Sequence, residues 1–503
     1  MNTLLNGLVN ETNYTLTENG AITHKTTKSD LLDMFAMGGS MRNRSDEDVI
    51  LMFRKAFAEN PVYALKCLFY LRDVRGGQGE RRFFRVCMRD LANTNPEAAK
   101  RNLELIPEYG RYDDLYCLVG TPLETDALDF FKKQLALDVT CKTPSLLAKW
   151  LKSENASSAE TKRLANITRE HLGMTHKQYR KTLSILRKRI NVLERLMSEN
   201  RWDEIEFDKI PSKAGLIYKN AFARHDIERM KSEKEVQSYA DFAKDTTKTV
   251  NAKVLNPVDI AHQIFNSHYP SETDRNMWDK FWANQKDYYN GRVENGIAIC
   301  DVSGSMCGVP MEAAVSMSAY IAERCGGPFK DHFITFSNNP ALVKFEGVDT
   351  YDKFKRAIRA DWGMSTNVEA AMDLLLNVAI KNNVPASDMP STLYIFSDME
   401  FNRCMTCGTA TRDRWGDYNQ VRVSNPDTLF ETIAKKWAAY GYELPRVIFW
   451  NLDARQENIP ALGGRFSYVS GFSMNMVECI LSGKDGYDLM MEKLNTPRYE
   501  SVA

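Results

Sequence analysis

The 503-residue sequence predicts an α + α/β protein, an all-helical N-terminal part followed by a doubly wound α/β domain. Three observations lead there. The length exceeds what one hydrophobic core serves, since domains run to roughly 100–200 residues. From about Ser29 to Ser232, apolar residues recur at spacings of three and four with few β-branched runs, the periodicity of amphipathic helices. After Asn295, short apolar runs alternate with helical stretches, which implies a parallel sheet with helices packed on it. Along the chain this gives an N-terminal extension over 1–28, a helical region over 29–232, a connecting segment with helices of its own over 233–293, and the α/β domain over 294–503.

Within the helical region, breaks at Asn60-Pro61, Arg75-Gly76-Gly77 and Glu108-Tyr109-Gly110 suggest an array of helical hairpins, HEAT-like pairs of roughly 40 residues. The segment Lys177 to Met197 shows the pattern most clearly. Tyr179, Leu183, Leu186, Ile190, Leu193 and Met197 fall on one stripe, while Lys181, Lys188 and Arg195 repeat at intervals of seven on another face. One helix with a core side and a basic side is expected. The connecting segment is polar, rich in Lys, Asp and Asn, and includes Asn256-Pro257 and Tyr269-Pro270. Beyond it, Gly296 to Cys300, His332 to Phe336, Thr392 to Phe396 and Arg446 to Trp450 read as buried strands, and Glu312 to Arg324, Val368 to Ile380 and Thr428 to Ala439 as helices.

The composition, 43% hydrophobic and 26% charged, is that of a folded protein and too apolar for a disordered one. The 66 basic and 66 acidic side chains cancel, so no global field draws the chain to nucleic acid or membrane. The charge is segregated, however: Lys142 to Arg201 holds 14 Lys and Arg against five Glu. No apolar stretch approaches the roughly 18 residues a membrane span needs, and the N-terminus lacks the pattern of a secretory signal. With ten scattered cysteines, the expectation is reduced thiols in the cytoplasm and no membrane partner.

The strand ending at Cys300 runs into Asp301-Val302-Ser303-Gly304-Ser305-Met306. Ligands of open α/β sheets bind just beyond the carboxyl ends of strands, which places this loop where chemistry is expected. A carboxylate and two hydroxyls, spaced by two around Gly304, supply the oxygen ligands that Mg²⁺, or Mn²⁺ or Ca²⁺, prefers. Gly363-Met364-Ser365-Thr366-Asn367 precedes a helix and offers the Thr366 hydroxyl, with Ser365 as an alternative, while Asp398 closely follows an apolar strand. As a bare pattern DxSxS is often an ordinary turn or helix cap. The strand context, the second hydroxyl loop and the third carboxylate favour a metal.

At these residues the sequence resembles the von Willebrand factor A (vWA) family, a Rossmann-like doubly wound fold whose metal-ion-dependent adhesion site joins a DxSxS loop, a Thr and an Asp. Carried over, the ligand set is Asp301, Ser303, Ser305, Thr366 and Asp398. The resemblance implies an open metal position completed by an acidic side chain of a protein partner, and binding in place of catalysis. A phosphohydrolase, which also puts an Asp at the end of a first strand, is disfavoured because Ser303 stands where the second carboxylate would be and no Lys is placed to balance a phosphate.

The two-part plan, with segments Leu71 to Arg81 and Ile106 to Leu115, also resembles the TROVE and vWA arrangement of the Ro ribonucleoprotein family. That resemblance implies a helical-repeat ring that binds structured or misfolded RNA. Arg163, Lys177, Arg180, Lys181, Arg187, Lys188, Arg189 and Arg195 are the candidate phosphate contacts, with Tyr179 as a stacking ring if it is exposed. A solvated basic helix face without RNA is the competing reading. Three other motifs carry less. The glycine-rich Arg75 to Arg82 stretch lacks the GxxxxGK[ST] pattern and reads as a helix-ending turn. Cys404-Met405-Thr406-Cys407 is half a zinc site without its other half. His225 and His332 are isolated and expected to be structural. The expectation is therefore a noncatalytic RNA-binding ribonucleoprotein-type subunit whose metal site binds protein. The alternative is a scaffold or assembly factor acting through the metal site without RNA.

Overall fold

The computed structural model describes residues 13–232, 236–336, 339–359, 366–403, 410–412, 421–423 and 427–503. It divides into two compact units that are each discontinuous in sequence. Of the described residues, one unit is α/β and comprises those of 13–67, Asn256–Tyr269 and Asp287–Thr496; the other is helical and comprises those of Leu68–Leu255, Pro270–Lys286 and Pro497–Ala503.

The α/β unit is built on a six-stranded sheet of β3 (Gly296–Asp301), β4 (His332–Phe336), β5 (Ala341–Lys344), β6 (Thr392–Ser397), β9 (Arg446–Asn451) and β10 (Phe466–Ser470). The spatial order is β10-β9-β6-β3-β4-β5, with every neighbouring pair parallel except β4 and β5. Every residue of β3, β6 and β10 is buried, as a parallel sheet covered on both faces requires. From β3 the chain steps to β4 on one side and later to β6 on the other. The topological switch point therefore lies between the carboxyl ends of β3 and β6, where open α/β sheets bind ligands. The four expected strands are β3, β4, β6 and β9; β5 and β10 are not legible as strands in the sequence, nor is the short antiparallel pair β7 (Ala410–Arg412) and β8 (Val421–Val423).

The N-terminal segment belongs to this unit. A small hairpin of β1 (Tyr14–Leu16) and β2 (Ile22–His24) is anchored through His24, whose backbone exchanges hydrogen bonds with that of Ile459. A helix over Asp30–Met37 follows, capped by Ser29 and buried from Leu31 to Met37. At its end Gly39 meets β10 so closely that a Cβ would stand 2.8 Å from the Ser470 carbonyl oxygen, and the Gly39 N–H donates to Ser470 Oγ at 2.9 Å.

In the helical unit the expected breaks fall at helix ends. The helix Pro61–Arg72, of which only Leu68–Arg72 belongs to this unit, stops at the Arg75 to Glu80 turn, Arg81–Thr94 follows, and Ile106–Tyr109 ends at Gly110. The expected single helix over Lys177–Met197 is corrected: it is two helices, His176–Arg189 and Leu193–Ser198. Asn191 between them has φ +49°, a left-handed conformation that Asn tolerates and a continuous helix excludes. Leu196, not Met197, then takes the buried position, and Ile190 is only half-buried. The last residues of the chain close into the same unit: Arg498 pairs with Asp73, and Tyr499 stacks on Tyr109 at 5.7 Å.

Candidate functional site

Asp301 ends β3 and is fully buried. Its Oδ1 accepts the Ser303 N–H at 2.9 Å, an Asx-type turn that swings the loop back over the strand end, and its Oδ2 accepts the Ser397 hydroxyl at 2.5 Å. The chain then makes one 3₁₀ turn over Gly304–Met306 and enters the helix Val309–Arg324 through Gly308 at φ +91° and Pro310 in the first turn. Ser303 Oγ and Ser305 Oγ lie 2.9 Å apart, Ser303 buried and Ser305 half-buried, so the cluster opens towards Ser305.

Across the switch point, β6 ends at Ser397 and delivers Asp398, whose Oδ1 accepts the Glu400 N–H at 3.1 Å. Asp398 is 1% exposed, and its Oδ2 has no hydrogen-bond partner among the described residues. Met399, next in the chain, holds φ +65°, a left-handed conformation costing a non-glycine residue roughly 1–3 kcal/mol. Burial, then the charge of Asp398, pushes the Asp301 carboxyl well above the ordinary carboxylate range; burial also raises Asp398 against the Ser305 hydroxyl. Two buried carboxylates that repel each other, with one oxygen left unsatisfied, are what a bound cation would resolve.

The residues present fit a hard divalent ion. Among the described residues there is no group of three His, Cys, Asp or Glu poised for a metal. The donors here are instead two carboxylates with hydroxyls, an all-oxygen set suited to Mg²⁺, Mn²⁺ or Ca²⁺. Asp301, Ser303, Ser305 and Asp398 lie together beyond the strand ends. Thr366 is buried on the adjoining loop: its hydroxyl donates to Asn402 Oδ1 at 2.5 Å and accepts from Asn19 Nδ2 at 3.0 Å. Ser365, with Gly363 and Met364, lies outside the described residues, as do Cys404 and Cys407.

Several residues of this site were not foreseen. Glu400 is wholly buried, its carboxylate accepting from the Glu18 N–H at 2.6 Å and from Asn458 Nδ2 at 2.8 Å, and burial pushes its pKa up to about 7. The β1–β2 turn supplies Asn19, which donates to Thr366 and to the Glu400 carbonyl, and Thr17, whose hydroxyl donates to the Phe401 carbonyl at 2.7 Å. Arg455 reaches in from beyond β9. It donates to the Ser305 carbonyl at 2.7 Å and to Glu18 Oε2 at 3.2 Å, and its Nε stands 3.8 Å from Asp398 Oδ2. Serine-glycine spacing flags the first loop; nothing in the sequence signals partners some 380 residues away.

The basic candidates divide into two groups. Lys177, Arg180, Lys181 and Lys188 are exposed, with no described partner. The other four are engaged. Arg163 pairs with Glu160 at 2.7 Å, Arg195 with Glu199 at 2.6 Å, and Arg189 donates to the Val139 carbonyl at 2.8 Å. Arg187 clamps the 148–153 loop, donating to the carbonyls of Ala148 and Leu151 and to Ser153 Oγ. Tyr179 is buried, its hydroxyl donating to the Lys152 carbonyl at 2.8 Å, so its ring is not a stacking platform. His225 stacks on Trp202 at 4.1 Å and bonds Glu228, and His332 bonds the Lys330 carbonyl; both are structural.

Residues 17–125 and 134–291 match the family model of a domain of unknown function, DUF2828, and residues 295–500 match that of another, DUF7788. The uncharacterized protein L728 of Acanthamoeba polyphaga mimivirus is 31% identical over 509 aligned positions, covering 94% of this chain and 85% of that protein. Among solved structures, the Ro (RSR) protein of Deinococcus radiodurans aligns over 93% of this chain and 99% of its own, with a TM-score of 0.46 and 13% identity.

Proposed function

This chain belongs to the family of the domain of unknown function DUF2828, and we propose that it is a noncatalytic, two-part binding protein of ribonucleoprotein type. The α/β unit holds a divalent cation and docks a protein partner through it, as the vWA resemblance implies; the helical unit engages structured or misfolded RNA. The observation that carries the metal half is the buried Asp301–Asp398 pair at the switch point, with Asp398 Oδ2 lacking a partner. Asp301, Ser303 and Ser305 would hold the ion, with Asp398 and Thr366 completing the set of oxygen donors. The bound ion supplies a Lewis-acidic position for an acidic side chain of the partner. The protein's own groups fix that position: the Ser303 N–H and Ser397 hydroxyl orient Asp301, and the buried turn at Met399 orients Asp398.

The RNA half is supported by the exposed Lys177, Arg180, Lys181 and Lys188. A specific observation favours the second reading, a scaffold without RNA: four of the eight candidate cations are tied to protein groups and Tyr179 is buried. A salt series of RNA binding by the wild type, the Lys188→Glu/Arg189→Glu double variant and Asp301→Ala separates the two. Salt-dependent binding lost only in the charge-reversed protein supports the ribonucleoprotein reading. Absence of binding by the wild type at moderate ionic strength leaves the scaffold. Among the described residues no helix is long and apolar enough to cross a membrane.

A further inference from the structure

Around the turn between the helices Pro61–Arg72 and Arg81–Thr94, three cations gather on two carboxylates, and two more, Arg81 and Arg111, stand close enough to feel their charge. Arg72, 1% exposed, donates from Nε and Nη2 to Asp114 Oδ2 at 2.8 and 2.6 Å. Arg85 donates to Asp114 Oδ1 at 2.7 Å and to Asp113 Oδ2 at 3.0 Å, and Lys152 Nζ stands 3.6 Å from the same Asp113 oxygen. The base of this cluster is rigid: a Cβ at Gly110 would lie 2.4 Å from Asp114 Oδ2 and 2.8 Å from Arg72 Nε. Arg72 and Arg85 already neutralise the two acids. Lys152 shares Asp113 with Arg85, and Arg111 and Arg81 are in excess.

Arg111 is the informative residue. Its backbone N–H is fixed by Asp114 Oδ2 at 2.9 Å, and its half-buried guanidinium lies over the Trp150 ring, 4.4 Å from the centroid. No carboxylate pairs with it among the described residues. Burial, then the positive charge of Arg81 and that of Arg72, hold its pKa below the ordinary guanidinium range, against the opposing pull of the Asp113 and Asp114 carboxylates. A desolvated cation beside like charges is costly unless an anion completes it. Stacking on indole leaves the N–H edge of the guanidinium free to fork onto phosphate oxygens. Arg81 is exposed at the first position of a 14-residue helix, where backbone N–H groups and the helix dipole also favour an anion.

We propose that Arg111, Arg81 and Lys152, seated on the Arg72–Asp114–Arg85 base and the Trp150 ring, form a phosphate-binding site. The phosphate belongs to an RNA backbone or to a free polyphosphate; only the choice of RNA as carrier rests on the function proposed above. These residues are distinct from the exposed lysines of the helix His176–Arg189.

The test uses the full chain with two probes, a fluorescently labelled RNA hairpin across a salt series and inorganic tripolyphosphate by calorimetry, and the variants Arg111→Gln, Arg81→Gln and Lys188→Glu/Arg189→Glu. Arg81 is exposed, so its variant reports binding even if Arg111→Gln folds poorly. The expected result is a loss of about tenfold in RNA affinity in each Arg→Gln variant, with the salt slope smaller by about one. Tripolyphosphate binding that both Arg→Gln changes weaken, without RNA binding by the wild type, supports the site and rejects its RNA carrier. RNA binding unchanged in both Arg→Gln variants but lost in the Lys188/Arg189 variant overturns the site while leaving the RNA reading intact. Binding of neither probe by the wild type overturns the site.

Discussion

Asp301 and Asp398 are placed where neither water nor a protein cation fully meets them. Asp301 spends both oxygens on hydrogen bonds from Ser303 and Ser397, whereas Asp398 keeps Oδ2 without one and has only the Arg455 Nε at 3.8 Å. An unsatisfied buried acceptor costs on the order of 1–3 kcal/mol, and a like-charged neighbour adds to it. The stability order of two proteins should therefore invert with conditions. In EDTA, Asp301→Asn is expected to be at least as stable as the wild type, because a buried charge is gone. In Mg²⁺ the wild type gains stability, about 2.7 kcal/mol at a hundred times the dissociation constant, and the variant does not. Thermal melts of both proteins in both buffers check this. A second residue-level outcome concerns Tyr179: Tyr179→Phe removes one hydrogen bond to the Lys152 carbonyl and should cost about 1 kcal/mol. RNA affinity should be unchanged, since the ring is buried.

Arg187 acts at the scale of an element. Its guanidinium spans the Ala148 and Leu151 carbonyls and Ser153, so it holds the 148–153 loop against the helix His176–Arg189. Arg187→Ala should destabilise the helical unit by roughly 2–4 kcal/mol by leaving buried carbonyls unpaired, with denaturant melts as the measure. The same residue illustrates what a sequence discloses. Periodicity placed Arg187 beside Lys188 and Arg189 in a basic cluster, but whether a guanidinium meets solvent or a carbonyl depends on a loop some 35 residues away. Long buried strands were legible because β3, β6 and β9 are apolar on both faces. β10 (Phe466–Ser470) carries two serines, Ser467 and Ser470, that nevertheless end up buried, and β1 and β2 are three residues each, too short for a period to register. The apolar spacing over Lys177–Met197 runs across Asn191, whose positive φ breaks the rod without breaking the pattern. The Asp301 loop and Asp398 were legible because strand ends carry ligands in such sheets. Asn19, Glu400 and Arg455 were not, because their meeting is a product of tertiary folding.

The two units are interleaved along the chain, and this sets an expectation for the whole molecule. Residues 13–67 fold with the α/β sheet, and the last seven fold with the helices. Within the helical unit those seven contribute Arg498, whose Nη2 donates to Asp73 Oδ1 at 2.7 Å, and Tyr499, whose hydroxyl donates to Asp73 Oδ2 at 3.0 Å. Asp73 itself is fully buried. Ending the chain at Thr496 should strand that carboxylate and remove a buried ring, destabilising the helical unit by roughly 3–5 kcal/mol. Limited proteolysis should then cut first between residues 68 and 255. Net neutrality has a consequence at this scale too: any RNA affinity must come from local patches, and it should fall steeply with salt.

The most direct measurement is Mn²⁺ binding, followed by the loss of its free-ion electron paramagnetic resonance signal, in the full chain and in Asp301→Ala. One ion per chain, displaced by excess Mg²⁺ and absent in the variant, is the expected result. No uptake by the wild type, or equal uptake by the variant, would contradict a metal centre at Asp301 and Asp398.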